Sequence, residues 1–200
     1  MITTQALTGM VLAGGEGRRM GGRDKGLEPF AGLPLFAHTA AKLEGQVAEL
    51  LISANRNLDA YRLFGRVISD VEPGFQGPLM GIYSGLRAAN TPWLLIAPCD
   101  TPHLPVDLVA QMLAGIQSAD IAVAFDGQHL HPTVALIRTA LADDLQAALK
   151  SGERKIQRWY AHHNMRRVDM SDCPDAFANL NTAEEKSRLE AQCLPAREVP

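Results

Sequence analysis

Met10-Val11-Leu12-Ala13-Gly14-Gly15-Glu16-Gly17-Arg18-Arg19-Met20-Gly21-Gly22-Arg23-Asp24-Lys25 is a short apolar run that breaks into a glycine-rich loop laced with cations. The run Met10 to Ala13 reads as a buried strand. Glycine has no Cβ, so the loop behind the strand can turn its backbone N–H groups toward an anion, while Arg18, Arg19, Arg23 and Lys25 supply positive charge. That combination reads as a phosphate cradle. It is not a P-loop, because no Ser or Thr follows the lysine at the required glycine spacing, and Gly15-x-Gly17 does not complete a dinucleotide fingerprint. A solvated flexible loop is the alternative, because glycine-rich basic loops alone are unspecific.

Downstream, short apolar runs alternate with helical patterns. Glu49 to Ser53, Arg66 to Ser69, Trp93 to Ala97 and Ile121 to Phe125 read as further strands bounded by turn residues. Leu108, Val109, Met112, Leu113 and Ile116 form one apolar stripe at helical spacing, with Pro105 tolerated in the first turn. Leu141, Leu145 and Leu149 repeat the pattern, and Thr182-Ala183-Glu184-Glu185 has the capping-box spacing that predicts a last helix, carrying Leu189 and ending before Pro195. Strands separated by helices require a mostly parallel sheet with helices on both faces, so the expected fold class is α/β and Rossmann-like. No internal repeat, low-complexity segment or linker divides the chain, which reads as one domain over residues 1–200 with a frayed tail at 191–200.

At 200 residues such a domain buries about 70% of its unfolded surface, enough for a single core without disulfide or metal staples. The formal net charge of −3 gives no bulk attraction to nucleic acid or membrane, so the positive charge of the loop is local. Cys99, Cys173 and Cys193 are odd in number and widely spaced, which fits neither a disulfide framework nor a zinc ribbon and predicts a reducing, cytoplasmic setting. Met1 to Thr8 lacks a basic start followed by a long apolar stretch, and no run reaches the length of a membrane span. The chain is therefore expected to be soluble and unprocessed.

Ligands of open α/β sheets bind outside the carboxyl ends of the strands. Here the unusual residues follow strand after strand: Gly14 after the first, Asn55 after the second, Asp70 after the third and Asp100 after the fourth. Asn55 and Asp70 taken singly fit turn formers or helix caps as well, and it is their joint placement that points to a nucleotide site. Asp100 follows Trp93-Leu94-Leu95-Ile96-Ala97, a run apolar enough for a central strand, so its carboxylate emerges from a rigid element. One carboxylate facing a phosphate loop suits Mg²⁺, which is commonly held by one or two carboxylates together with substrate phosphates and waters. The alternative role for Asp100 is to cap the turn at Thr101-Pro102.

Leu12-Ala13-Gly14-Gly15-x-x-x-Arg19-Met20-Gly21-Gly22-x-Asp24-Lys25 closely resembles the nucleotide-binding signature of the molybdenum cofactor guanylyltransferases, the MobA family. Ala54-Asn55-Arg56, Gly77-Pro78-Leu79-x-Gly81, Pro98-Cys99-Asp100-Thr101-Pro102, His131-Pro132-Thr133 and Asn179-x-Asn181-Thr182 extend the resemblance in unbroken order over roughly residues 8 to 190. It implies a nucleotide-diphospho-sugar transferase-like fold, with a nucleotide-binding part at about 8–105 and a molybdopterin-side part at about 106–190. The implied reaction transfers GMP from GTP to the terminal phosphate of molybdenum-bearing molybdopterin and releases pyrophosphate. A phosphate is already an anionic nucleophile, so alignment and charge neutralisation suffice, and no Ser-His-Asp or Cys-His constellation is needed.

By the same resemblance Asp100, Lys25 and Arg19 carry catalysis. Leu12, Ala13, Gly14, Gly15, Lys25, Asn55, Asp70 and Asp100 bind the nucleotide, and Asp100 binds Mg²⁺. Gly77, Gly81, His131, Asn179 and Asn181 face the second substrate, although Asn179 and Asn181 fit a simple turn before the last helix equally well. The implied partners are GTP and molybdenum-molybdopterin, with room for cofactor-delivery and molybdoenzyme-maturation proteins that the sequence does not identify. The resemblance is loosest at Glu16-Gly17, where an inward Glu16 would repel phosphate; it is expected to face solvent or pair with Arg18 or Arg19.

The remaining polar clusters read more plainly. His129 and His131 alternate onto one face, but no third ligand is evident and a solvated or hydrogen-bonded pair is favoured over a metal pair. His162-His163 reads as helix surface and Cys99 as a small buried spacer. Trp159, Tyr160, Met165 and Arg166-Arg167 offer a contact to the anionic pterin or a partner protein, but ordinary packing plus a solvated edge is the favoured reading. Three rivals remain: a cytidylyltransferase, whose first loop typically reads Leu-Ala-Ala-Gly; a sugar-phosphate nucleotidyltransferase, disfavoured by the compact length; and a non-catalytic GTP or cofactor carrier. Gly14 and Pro98-Cys99-Asp100 favour guanine among these.

Overall fold

The computed structural model describes residues 2–14, 24–73 and 77–180. In chain order its strands are β1 (Leu7–Leu12), β2 (Pro29–Phe30), β3 (Leu33–Pro34), β4 (Glu49–Ser53), β5 (Arg66–Ile68), β6 (Trp93–Pro98), β7 (Ile121–Phe125), β8 (Leu130–Arg138) and β9 (Met165–Asp169). Its helices are α1 (Leu35–Leu43), α2 (Leu58–Arg62), α3 (Pro78–Ala88), α4 (Leu108–Ile116), α5 (Ala142–Lys150) and α6 (Ile156–Tyr160). One seven-stranded sheet runs in the order β5-β4-β1-β6-β8-β7-β9, and β2 and β3 form a separate small hairpin. Every pairing in the large sheet is parallel except those made by β8.

Alternation along the central strands divides the apolar side chains between two faces. Trp93, Leu95 and Ala97 of β6 join Phe36, Ala40 and Leu43 of α1 and Leu108, Met112 and Ile116 of α4. Leu94 and Ile96 point the other way, into Leu79, Ile82 and Leu86 of α3, Leu145 and Leu149 of α5, and Trp159 of α6. The single core expected from chain length is thus two layers separated by the sheet, as a parallel sheet buried on both faces requires. A small third cluster gathers Phe30, Leu35 and Leu180. Gly81 and Gly85 lie one turn apart on the sheet side of α3, where a Cβ on Gly85 would come within 2.5 Å of Met10 Sδ. Their missing side chains let the helix approach the strands closely.

The α/β architecture is the expected one, with several local differences. β1 begins at Leu7 rather than Met10: Thr8 is buried but satisfied by Thr91, whose hydroxyl lies 2.8 Å away. β8 was not among the expected strands: His131 and Pro132 interrupt its start, and the strand bulges there before the apolar run Val134 to Ile137. Its register to β7 jumps from Ala135 opposite Val123 to His131 opposite Ala124. β9 exposes Arg166 and Arg167 at the sheet edge, where charge blunts an open ladder. Pro105 precedes α4 instead of sitting in its first turn. His162 and His163 follow α6 in a turn, and His163 is mostly buried edge-on against Trp159. The helix expected from Thr182 onward and the tail at 191–200 lie outside the described residues.

Candidate active site

Because β5, β4, β1 and β6 are parallel neighbours, their carboxyl ends leave the sheet on one rim. The ladder runs slightly past the strands. Ala13 N–H donates to the Ser53 carbonyl at 2.9 Å, Ala54 N–H to Ile68 at 2.9 Å, and Cys99 N–H to Leu12 at 3.1 Å. Leu12 and Ala13 are thereby fixed, and Gly14, Asn55, Asp70 and Asp100 each stand one or two residues beyond that fixed frame.

Asn55 and Asp70 hold one another at two points. Asn55 Nδ2 donates to Asp70 Oδ2 at 2.8 Å, and Asp70 backbone N–H donates to Asn55 Oδ1 at 2.9 Å. Burial pushes the Asp70 carboxyl above the usual aspartate range, partly offset by the hydrogen bond from Asn55. Gly14 and Gly81 close on this pair: a Cβ on Gly14 would lie 3.3 Å from Asn55 Nδ2, and one on Gly81 would lie 3.2 Å from Ser53 Oγ and 3.8 Å from Asp70 Oδ1.

Lys25 Nζ donates to Asp100 Oδ2 at 2.7 Å, and both side chains are about one-fifth exposed, at 22% and 18%. The backbone around Asp100 is held from two sides. The buried Thr39 hydroxyl on α1 shares its proton between the Pro98 carbonyl at 3.2 Å and the Thr101 carbonyl at 3.3 Å. Leu180 N–H donates to the Asp100 carbonyl at 3.0 Å. The neighbouring Cys99 is buried, and burial pushes its thiol up to about 12, which disfavours the thiolate. Among the described residues no three His, Cys, Asp or Glu side chains gather as a metal cage. A lone carboxylate already drawing a cation suits Mg²⁺ held jointly with substrate phosphates rather than by protein alone.

The segment that carries Lys25 is secured by residues given no separate role in the sequence reading. Asp24 Oδ1 accepts from the Tyr61 hydroxyl at 2.7 Å and Oδ2 from Asn57 Nδ2 at 2.9 Å, with Arg56 Nε 3.7 Å from Oδ2. Asp24 and Arg56 stand within the matched motifs Gly22-x-Asp24-Lys25 and Ala54-Asn55-Arg56, whereas Asn57 and Tyr61 carried no sequence signal beyond nearness to Asn55.

His131 lies further along the sheet, at the start of β8. Its Nε2 is 2.7 Å from Asp126 Oδ2, and its ring stacks on Phe177 with centroids 4.4 Å apart. Hydrogen bonds from His129 and Gln128 backbone N–H groups and from His131 hold the Asp126 carboxyl well below the usual range. The bulge beside His131 is pinned by Tyr160, whose hydroxyl donates to the Pro132 carbonyl at 2.9 Å. The exposed Asn179 sits between Phe177, which touches His131, and Leu180, which is bonded to Asp100. Gly77 precedes α3 with a positive φ of 86°, a conformation that favours glycine. The structure therefore brings Gly81 to Asn55 and Asp70, and ties to Asp100 and to His131 two residues that flank Asn179, Leu180 and Phe177. Gly15, Arg19 and Asn181, together with Glu16, Arg18 and Cys193, lie outside the described residues.

Residues 9–168 match the family model of the MobA-like NTP transferase domain. A molybdenum cofactor guanylyltransferase of Shewanella baltica is 48% identical over 183 residues, covering 90% of this chain and 93% of that protein. One from Burkholderia vietnamiensis is 48% identical over 198 residues, covering 93% and 96%. Among solved structures, the molybdopterin-guanine dinucleotide biosynthesis protein A of Archaeoglobus fulgidus superposes with a TM-score of 0.74 at 23% identity, over 93% of this chain and 98% of that one. This last likeness speaks to the fold.

Proposed function

The chain belongs to the MobA-like NTP transferase family, and from that premise we propose that it transfers GMP from GTP to the terminal phosphate of molybdenum-bearing molybdopterin. A phosphate oxygen of molybdopterin forms the new bond to the α-phosphorus of GTP. The bond from that phosphorus to the α–β bridging oxygen breaks, and its electron pair leaves with pyrophosphate. The observation that carries this reading is the meeting of two pairs on one strand-end rim, Asn55 with Asp70 and Lys25 with Asp100. One end suits a purine edge and the other a polyphosphate.

Within this reading the half-buried Asp70 carboxylate accepts from guanine N–H groups, and Asn55 keeps it turned to the ligand. Leu12, Ala13, Gly14 and Gly15 line the nucleotide, and Lys25 and Arg19 meet the β- and γ-phosphates. Such cationic clamps are worth about 10³–10⁵ in rate. Asp100 would hold Mg²⁺, which when bound would neutralise the charge that develops on the departing pyrophosphate. Gly77, His131, Asn179 and Asn181 face molybdopterin, and Gly81 contributes through the first turns of α3. The nucleotide part spans about 8–105 and the molybdopterin part about 106–190, meeting where β6 pairs with β8. No helix of the described residues is long and apolar enough to cross a membrane. The proposed setting is the cytoplasm, where cofactor-delivery and molybdoenzyme-maturation proteins are the partners to test.

The test is pyrophosphate release from GTP and Mg²⁺ with molybdopterin as acceptor. Release that requires all three supports the reading. Tight GTP binding without release would leave a carrier, and equal release from CTP would leave a nucleotidyltransferase of unassigned base.

A further inference from the structure

Resting on the transfer reading, we infer that Asp24 and Tyr61 are positioning residues, a buried clasp that sets Lys25 against its phosphate-side target and ties it to the segment bearing Asn55. The clasp surrounds Lys25 on both sides in sequence. Asp24, just before it, accepts the Tyr61 hydroxyl at 2.7 Å. Gly26, just after it, has no Cβ, and a Cβ there would collide with that same hydroxyl. Tyr61 is a fixed post: it is fully buried and its ring meets Phe36 edge-on, with centroids 4.6 Å apart. Burial and the bond to Asp24 hold the phenol protonated far above neutral pH, so it remains a donor.

The Asp24 carboxylate is only 7% exposed and takes its second donor from Asn57. Asn57 occupies the left-handed region at φ 51°, which asparagine tolerates better than most residues. It lies two residues past Asn55, so one carboxylate joins the segment of the phosphate-side cation to the segment of the base-side amide. Lysine is a point charge on a flexible four-carbon stem, so where its charge is presented depends on its backbone anchor as well as on the pairing of Nζ with Asp100. Misplacing a positioned group by about 1 Å can cost about a hundredfold in rate.

The experiment measures the affinities of GTP and guanosine for the full chain by titration calorimetry. The proteins are the wild type, Tyr61→Phe, Asp24→Asn, Lys25→Ala and the Tyr61→Phe/Lys25→Ala double variant. Tyr61→Phe keeps the packed ring and Asp24→Asn keeps the side-chain shape, so each isolates the clasp. Each is expected to weaken GTP about tenfold, the scale of one hydrogen bond to an ionised group, while guanosine changes by less than about twofold. In the Lys25→Ala background, Tyr61→Phe is expected to add less than about twofold, because a residue acting through Lys25 has nothing left to position. Equal losses for GTP and guanosine, or full additivity with Lys25→Ala, would reduce the clasp to a stability element and overturn the inference. A wild type that binds GTP no more tightly than guanosine would overturn the underlying reading, and the inference with it.

Discussion

Lys25 and Asp100, 75 residues apart in sequence, form an ion pair with Nζ 2.7 Å from Oδ2 at the rim of the sheet. The cation proposed for the triphosphate and the carboxylate proposed for the metal thus neutralise each other. On the proposed assignment, each residue would exchange this partner for a phosphate or a metal ion, so neither charge is left uncompensated.

Asp100→Asn is expected to lower Mg²⁺-dependent transfer by about a hundredfold or more while the fold persists, because it removes the charge that holds the metal and keeps the shape. Loss of a partly exposed ion pair costs only about 1 kcal/mol in stability. Circular dichroism and turnover should therefore separate. Near-wild-type activity at limiting magnesium would make Asp100 a turn residue.

Lys25→Ala should weaken GTP far more than guanosine, since a ligand without phosphates cannot lose a phosphate contact. Titration of both ligands against the same protein gives the ratio directly. A common loss for the two would mean that the lysine serves Asp100 alone.

The rim itself was legible in the sequence because parallel α/β sheets put strand-end residues side by side, and Gly14, Asn55, Asp70 and Asp100 each follow an apolar run. The strands expected at Ile121–Phe125 and Trp93–Ala97 were equally plain from their unbroken hydrophobicity, the second running one residue further, to Pro98. β8 was hidden because His131 and Pro132 occupy its bulged start, and β9 because its arginines face solvent at an edge. The role of Asp24 was illegible for another reason. It depends on Tyr61, a residue 37 positions away that sequence alone gives no ground to pair with it.

Asp70 predicts a pH dependence of opposite sign for stability and for binding. Burial raises its pKa in the fold, so its contribution to stability is complete at acid pH, below the ordinary aspartate range, and is lost as pH rises through the folded-state value. Guanine N–H donors require the ionised form, so guanosine affinity should rise with pH through that same value, by about tenfold per pH unit on its acid side. Affinity measured against pH for the wild type and Asp70→Asn tests this. A slope that survives in Asp70→Asn would assign the titration to another group.

Base choice is the sharpest remaining test, because GTP and CTP carry the same triphosphate and the phosphate-side cations cannot tell them apart. The proposed assignment places discrimination at the Asn55–Asp70 end, where the two side chains fix each other's orientation through a pair of hydrogen bonds. A site built to hydrogen-bond one base leaves its buried groups unpaired with another, and such mismatches can reach about 10⁴–10⁵ in kcat/KM, far beyond what size exclusion provides. Gly14 is part of that geometry: a methyl group there would sit 3.3 Å from Asn55 Nδ2 and 3.5 Å from the Ser53 carbonyl, tight enough to press on the amide. The wild type should thus use GTP in strong preference to CTP on molybdopterin. Gly14→Ala, together with changes at Pro98 and Cys99, should erode that preference by lowering kcat/KM for GTP more than for CTP. Competition between the two nucleotides, before and after the exchange, decides the matter. Equal use of both by the wild type would sink the guanylyl assignment, and a preference untouched by the exchange would move base selection away from Gly14 and Asn55.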